Sequence, residues 1–336
     1  MLQPVSTVTF GVIAYNEQMY LPDLLKDLLR QTYDKKLIEV ILVDGESQDS
    51  TFEIMKSFQA EFQDAFLDVK TLSNYKRIQP SGWNVVIKNS TADALLRIDA
   101  HARLPKNFVE NSIKCLNTDE FVCGGPRENI IDERTSWKEM LLVAEQSMFG
   151  AGIASYRQGV KEKKYVKSVF HGCYRKEVLD KVGLFDETLV RTEDNEYHYR
   201  IYKAGYRICY DSSIHSFYQT RNSLKGMLRQ KFGNGFWVGR TLFKCPGCIS
   251  LFHLVPFLFV CAILFSSILL LGGVSLPAKL LWGTYGLVNI LMTVISIIRS
   301  KGISVYSILL PLVFLLLHIG YGLGTLFGLV KRESHI

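Results

Sequence analysis

The chain has 336 residues, 48% of them hydrophobic, and a formal net charge of +7, a length that suits one large domain or two modest ones. The charge is unevenly spread. From Ser250 onward only Lys279, Arg299, Lys301, Lys331, Arg332 and Glu333 interrupt an apolar sequence, which leaves 34 basic and 31 acidic residues before it. The near-neutral first part reads as an ordinary soluble domain with no nucleic-acid partner, and the second part as membrane. Seven cysteines follow no repeated spacing. Cys245-Pro246-Gly247-Cys248 has no second pair to complete a tetrahedral zinc site and reads as incidental. The odd count, with no secretory-signal pattern at the N-terminus, gives a reducing cytosolic location as the expectation.

Thr7 to Ala14 is a short β-branched run that predicts a strand. Tyr15-Asn16-Glu17 follows, and Leu21, Leu24, Leu25, Leu28 and Leu29 then repeat at helical spacing. Ile38 to Val43 is a second strand, ending in Asp44. The turn after it offers Asp49 or Ser50 to cap a helix from Phe52. Strand, helix, strand, helix at this spacing predicts a βαβ unit and a parallel sheet. No Gly-x-Gly-x-x-Gly or Walker sequence occurs, which sets aside a dinucleotide oxidoreductase and a P-loop ATPase. Lys76 and Arg77 are available to neutralise phosphate oxygens, or form a solvated face.

Leu95 to Arg103, LLRIDAHAR, is an apolar run that stops at Asp99-Ala100-His101. Ligands of open α/β sheets bind outside the carboxyl ends of the strands. On an extended chain Asp99 and His101 point to the same side, and such a pair suits a divalent metal that in turn holds a diphosphate. Read alone, Asp99 is equally a strand-terminal residue that opens a turn.

Ala14-Tyr15-Asn16-Glu17, Val-Asp-Gly-x-Ser-x-Asp-x-Thr over 43–51, Arg-Ile-x-Pro over 77–80 and Arg-Ile-Asp-Ala-His over 97–101 occur in that order. In these motifs the chain, from about residue 7 to residue 240, resembles the family 2 glycosyltransferases, and among them the bacterial exopolysaccharide enzymes related to succinoglycan glucosyltransferases. The resemblance implies a GT-A fold, an α/β architecture with a mostly parallel sheet and helices on both faces. It further implies a nucleotide-diphosphate sugar donor, a divalent metal (Mg2+ or Mn2+) and inversion at the anomeric carbon. Donor-binding residues would be Ala14, Tyr15, Asn16, Glu17, Asp44, Arg77 and Asp99, with Asp99 and His101 toward the metal. Most family members carry Asp-x-Asp where this chain has Asp99-Ala100-His101, so ligation by His101 is open. Glu193-Asp194 matches the position of the family's catalytic base. Read by itself, that pair is an acidic helix start favoured by the helix dipole.

Trp137 to Gly150 reads as helical, and Tyr156 to Lys167 as a basic loop over a diphosphate, against anionic lipid, or simply solvated. Lys176 to Val182 reads as a helix stopped by Gly183, and Asn195 to Ala204 as a second stopped by Gly205. Asn222 to Cys248 mixes Lys and Arg with Phe, Trp, Leu and Met, as an interfacial amphipathic segment does. Processive synthases of the resembled family carry Gln-x-x-Arg-Trp near here; this chain has Gln230-Lys231-Phe232-Gly233-Asn234. Leu251–Leu271, Leu280–Ile298 and Ile303–Val330 are each long enough to cross a bilayer. With a cytosolic catalytic domain, Arg299 and Lys301 obey the positive-inside rule, while Lys331 and Arg332 fit it only if the third segment is bent or re-entrant.

The expected organisation is a catalytic domain over 1–221, an interfacial segment over 222–249 and a multi-pass membrane region over 250–330. The expected function is an inverting, non-processive transferase on the cytoplasmic face. It would extend a lipid-linked saccharide in exopolysaccharide or capsule assembly, with other assembly proteins as further partners. A processive synthase and a non-catalytic sugar-nucleotide-binding scaffold are the alternatives.

Overall fold

The structure, a computed structural model, describes residues 2–151, 162–220, 223–300 and 304–331. The chain forms two compact units, Met1–Glu128 with Ala154–Gln219 and Asn129–Ile153 with Thr220–Ile336. In the first, β1 (Val8–Ala14), β2 (Ile38–Asp44), β3 (Asp68–Ser73) and β4 (Ala94–Asp99) pair in parallel in the order β3-β2-β1-β4. The sheet continues through β9 (Cys173–Arg175), β6 (Val122–Gly124), β10 (Ile208–Tyr210) and β8 (Lys164–Val166). Here β9 runs antiparallel to both neighbours, β10 parallel to β6 and β8 antiparallel to β10. A second, three-stranded sheet orders β5 (Ala102–Arg103), β11 (Ser216–Gln219) and β7 (Arg127–Ile130).

Alternation along the strands builds the two apolar layers. Val40 and Leu42 pack with Leu21, Leu24 and Leu28 of α1 (Leu21–Leu29), Met55 of α2 (Thr51–Phe62) and Ile113 of α4 (Phe108–Leu116). Ile41 and Val43 pack on the other face with Trp83 and Val86 of α3 (Gln79–Asn89), Val178 of α7 (Lys176–Val182) and Tyr197 of α8 (Glu193–Lys203). All seven residues of β2 are buried, as in a strand covered on both faces. Asp49, not Ser50, serves the start of α2: its Oδ1 accepts from Thr51 N at 3.0 Å, while Ser50 makes no side-chain cap bond. The basic run expected over 156–167 lies partly outside the described residues. Of its described part, Lys163 donates to Thr118 Oγ1 at 2.8 Å and Lys164 opens β8.

In the second unit the helix read over 137–150 is two. α5 (Ser136–Gln146) ends at Ser147, whose ψ of 137° is extended, and α6 (Met148–Ala151) follows. α9 (Leu224–Lys244) packs along α12 (Leu310–Val330). A Cβ on Gly235 would lie 2.0 Å from Tyr321 O, and one on Gly328 2.1 Å from Phe236 O, so the absence of side chains lets these two backbones touch. α9 also turns Lys231 inward, its Nζ 3.2 Å from Glu145 Oε2 of α5. Leu251–Leu271, Leu276–Arg299 and Val305–Val330 are each long and apolar enough to cross a membrane; they contain α10 (Val255–Leu271), α11 (Leu276–Arg299) and α12. α12 runs unbroken after a single 3-10 turn. His318 donates Nε2–H to Phe149 O at 2.6 Å, and its Nδ1 lies 3.0 Å from the Tyr285 hydroxyl.

At the end of the sheet where β1 and β2 begin, a polar knot fastens three strands. The fully buried Glu39 accepts from Thr9 Oγ1 (2.5 Å), Lys70 Nζ (2.7 Å), Thr91 N (3.0 Å) and Thr91 Oγ1 (2.9 Å). Burial alone would raise its pKa, but the bonds from Lys70, Thr9 and Thr91 outweigh that and lower it. A lowered carboxyl pKa gives stability that is present above the unfolded value and lost as pH falls through the folded one. Glu39→Gln should therefore cost roughly 1–3 kcal/mol at neutral pH and blunt the acid sensitivity of the thermal melt. A variant whose melting temperature falls with acid as steeply as that of the unaltered protein would remove Glu39 from this role.

Candidate active site

The candidate residues collect where β1, β2 and β4 end and where α3 and α8 begin. Five described non-glycine residues have positive φ, and four lie on these links: Asn16 (55°), Glu46 (63°), Arg77 (56°) and Thr192 (69°). Strained backbone of this kind persists only where surrounding contacts over-determine it. Those contacts are visible after β1 and β2. Asn16 N donates to Ser47 Oγ (2.9 Å), Gln48 N to Asn16 Oδ1 (2.8 Å), Glu17 N to Thr51 Oγ1 (2.8 Å) and Gly45 N to Ala14 O (2.8 Å). Asp44 is buried; its Oδ2 accepts from Ser47 N at 3.0 Å, and its Oδ1 has no hydrogen-bond partner among the described residues. Tyr15 stands exposed beside this cradle. Arg77 is also exposed, 3.8 Å from Glu46, and Lys76 is 2.5 Å from Glu187.

Asp99 is the last residue of β4, and Ala100-His101 forms a turn before β5. Extended-chain alternation therefore does not carry through to His101. What orients that ring is Glu17: His101 Nδ1 lies 2.9 Å from Glu17 Oε1, and the Tyr218 ring meets the imidazole edge-on at 4.8 Å. A carboxylate accepts, so Nδ1 carries the hydrogen. The buried Nε2 has no hydrogen-bond partner among the described residues. A carboxylate on one imidazole nitrogen with the other left free is how metal-ligating histidines are held. Among the described residues no group of three or more His, Cys, Asp and Glu could hold a metal by itself. Asp99 and His101 thus suit a cation that takes its remaining ligands from phosphate and water.

Two more groups stand close by. His171 is buried, with Nδ1 2.9 Å from Ser216 Oγ. Burial, joined by the charges of Arg127, Arg97 and His101 and opposed by Asp99, pushes its pKa down to about 3, so it is neutral. The Arg127 guanidinium lies 4.3 Å from the Phe170 ring and 4.2 Å from that of Tyr218.

Glu193 and Asp194 open α8, with Glu196 in the same turn and Arg200 and Lys203 in the last, the charge order that the helix dipole favours. Glu193 is buried; Asp194 is only half-buried. Burial first and the neighbouring Asp194 second, opposed by Arg97, push Glu193 up to about 8, so it keeps its proton at neutral pH. Arg97, on β4, reaches it with NH2 3.9 Å from Glu193 Oε1. The start of α8 is fixed from behind. Asn84 donates to Phe185 O (3.0 Å) and Glu187 Oε1 (2.9 Å) and accepts from Phe185 N (2.7 Å). His198 bridges Ser168 Oγ (2.9 Å) and the Tyr174 hydroxyl (2.8 Å).

Arg97, Arg127 and His171 were not singled out by sequence reasoning. Arg97 carried a signal, a cation inside an otherwise apolar strand run. The other two become neighbours of the site only through the pairing of β4 with β9 and of β5 with β11.

Comparison with known proteins bears on the family and the fold. The sequence profile described as glycosyl transferase family 2 matches residues 9–183, just over half of the chain. A dolichyl N-acetyl-alpha-D-glucosaminyl phosphate 3-beta-D-2,3-diacetamido-2,3-dideoxy-beta-D-glucuronosyltransferase of Methanococcus voltae is 27% identical over 333 residues, covering 97% of this chain and 98% of that protein. The succinoglycan biosynthesis protein ExoA of Rhizobium meliloti is 28% identical over 260 residues, 76% of this chain and 75% of that one. Among solved structures, a mannosyltransferase of Pyrobaculum calidifontis in complex with GDP-Man and Mn2+ shares the fold with a TM-score of 0.61 at 14% identity, over 97% of this chain and 88% of that chain. From the motifs, the GT-A-like α/β sheet and the profile match together, the chain belongs to glycosyl transferase family 2.

Proposed function

We propose that this glycosyltransferase moves one sugar from a nucleotide-diphosphate donor to a lipid-linked saccharide, with inversion, at the cytoplasmic face of a membrane. The observation that carries the reading is the contrast at the start of α8: a buried Glu193, its carboxyl pushed up by burial, beside a half-buried Asp194. Neighbouring carboxyls whose environments differ in this way are how acid and base roles are divided. Asp194 takes the proton of the acceptor hydroxyl as that oxygen attacks the anomeric carbon from the face opposite the diphosphate. A single displacement needs no second nucleophilic carboxylate and inverts the configuration.

On the donor side, the tied loops after β1 and β2 hold the nucleotide, with the free Asp44 Oδ1 turned to a donor group of the ligand. Asp99 and the His101 Nε2 kept available by Glu17 would hold Mg2+ or Mn2+. When bound, that cation supplies Lewis-acid neutralisation of the departing diphosphate. A lipid-linked acceptor is supported by the three apolar segments and by the dolichyl phosphate-linked sugar in the name of the Methanococcus relative. The exopolysaccharide setting is supported by the Rhizobium relative.

The paired test is donor binding by calorimetry beside transfer rate, after a panel of UDP- and GDP-sugars has identified the donor. Asp194→Asn should lose about 10²–10⁴-fold in turnover with little change in donor affinity, because the base touches only the acceptor. Asp99→Asn should lose both turnover and metal-dependent donor binding while its thermal melt is kept. Normal transfer in either variant would end that residue's role. Orientation is read separately: a cysteine placed near Asp49 should resist a membrane-impermeant thiol reagent added outside intact cells, and strong labelling would reverse the topology.

A further inference from the structure

Arg97 interrupts a strand that is otherwise built for the interior. Leu96 and Ile98 point into one apolar layer, and Leu95 into the other, with Trp83 and Phe185. Arg97 shares the face of Leu95 by alternation and is 6% exposed. Its guanidinium carbon lies 5.0 Å from the Trp83 ring and 5.5 Å from the Phe185 ring. NH2 is the atom that approaches Glu193, and NH1 has no hydrogen-bond partner among the described residues. Its backbone N–H is spent on Gly172 O at 2.9 Å. A buried ion pair is a poor device for stability, since apolar residues of similar volume commonly do as well or better. A cation kept here at that cost calls for another reason, and the surrounding charges supply one. Asp99 lies two residues along the same strand, and Asp194 follows Glu193 on α8; Asp194 and Asp99 both act on Arg97 through their charge.

We propose that Arg97 is a positioning residue for the transfer step, its guanidinium fixing the start of α8, and so Asp194, against the strand end that carries Asp99. The two aromatic rings lie within cation–π reach of the guanidinium, and its NH2 arm approaches Glu193. At 3.9 Å the contact with Glu193 is electrostatic and not a hydrogen bond, and a protonated Glu193 adds no further negative charge to the site. Asp194, the next residue on α8, is then held at a set separation from Asp99. An ammonium would supply the charge without the planar group or the second arm, so lysine is an incomplete substitute.

The test uses the full chain in detergent and the donor identified by the sugar-nucleotide panel, with Arg97→Met, Arg97→Lys and Asp194→Asn side by side. Methionine covers the rings without charge. Arg97→Met should lose about 10²-fold or more in kcat while donor KM stays within about threefold. Calorimetry with UDP or GDP and Mn2+ should give the binding stoichiometry of the unaltered protein, which shows that the loss is not a missing active fraction. Arg97→Lys should recover at least about a tenth of the activity. If the Met variant does not bind nucleotide, Arg97→Gln is read in its place with the same expectation. Equal losses in the Met and Lys variants, or a Met variant within about tenfold of normal, would overturn the assignment and leave Asp194 as the base. Arg97 can hold this role only if Asp194 is the base, so normal turnover in Asp194→Asn would overturn both.

Discussion

A guanidinium held almost out of water beneath a group of carboxyls sets the geometry of this site. Two unit charges 4 Å apart interact by about 4 kcal/mol at an effective dielectric of about 20, several times the worth of an exposed ion pair. Arg97 is buried, and the charges of Asp194 and Asp99 act on it there. The cation is tolerable in the apolar layer because the carboxyls are there, and the carboxyls can gather because the cation is there. Trp83 and Phe185 each add cation–π contact of about 0.5–2 kcal/mol to the buried guanidinium.

The remainder of the catalytic unit works to hold that arrangement still. The Glu39 knot fastens the opposite end of β1, β2 and β3, so the strands are fixed where they begin and their far ends are free to carry ligand loops. Asn84 ties down the chain at Phe185, ahead of α8, and His198 holds α8 itself, neither touching the reacting groups. Glu17 does two jobs at once, its backbone N–H joining the β1 and β2 loops and its side chain aiming His101. The donor cradle and the candidate metal position are thereby mechanically one piece. In the other unit, glycines on α9 and α12 that lie against the facing helix's backbone carbonyls set a close helix pair that propensity alone would not favour.

Much of this was legible before the structure. β1 and β2 announce themselves as β-branched runs that end in polar residues, and Asp99 is marked by an apolar strand that stops at an acid. The Glu193-Asp194 start of α8 is readable from its helix spacing and from Gly205 beyond it. What could not be read depends on contacts distant in sequence. His171 sits at the site because β9 enters the sheet antiparallel between β4 and β6, and no local pattern around residue 171 states that. The relation of His101 to Asp99 was inferred from an extended chain, whereas a turn intervenes and Glu17, 84 residues earlier, sets the ring. The break at Ser147 is likewise silent in a sequence whose apolar spacing runs smoothly through it. α9 looked amphipathic because its cations alternate with aromatics, yet Lys231 is turned inward to Glu145.

The division of roles proposed for Asp99 and Asp194 calls for one displacement at the anomeric carbon, with no glycosyl-enzyme stage. The most direct test is the product itself, made from an α-linked sugar nucleotide and a short lipid-linked saccharide and examined by mass spectrometry and proton NMR. The account predicts an acceptor heavier by one sugar and joined through a β linkage. An α-linked product would contradict it, because retention demands either a covalent intermediate or attack from the face the diphosphate occupies.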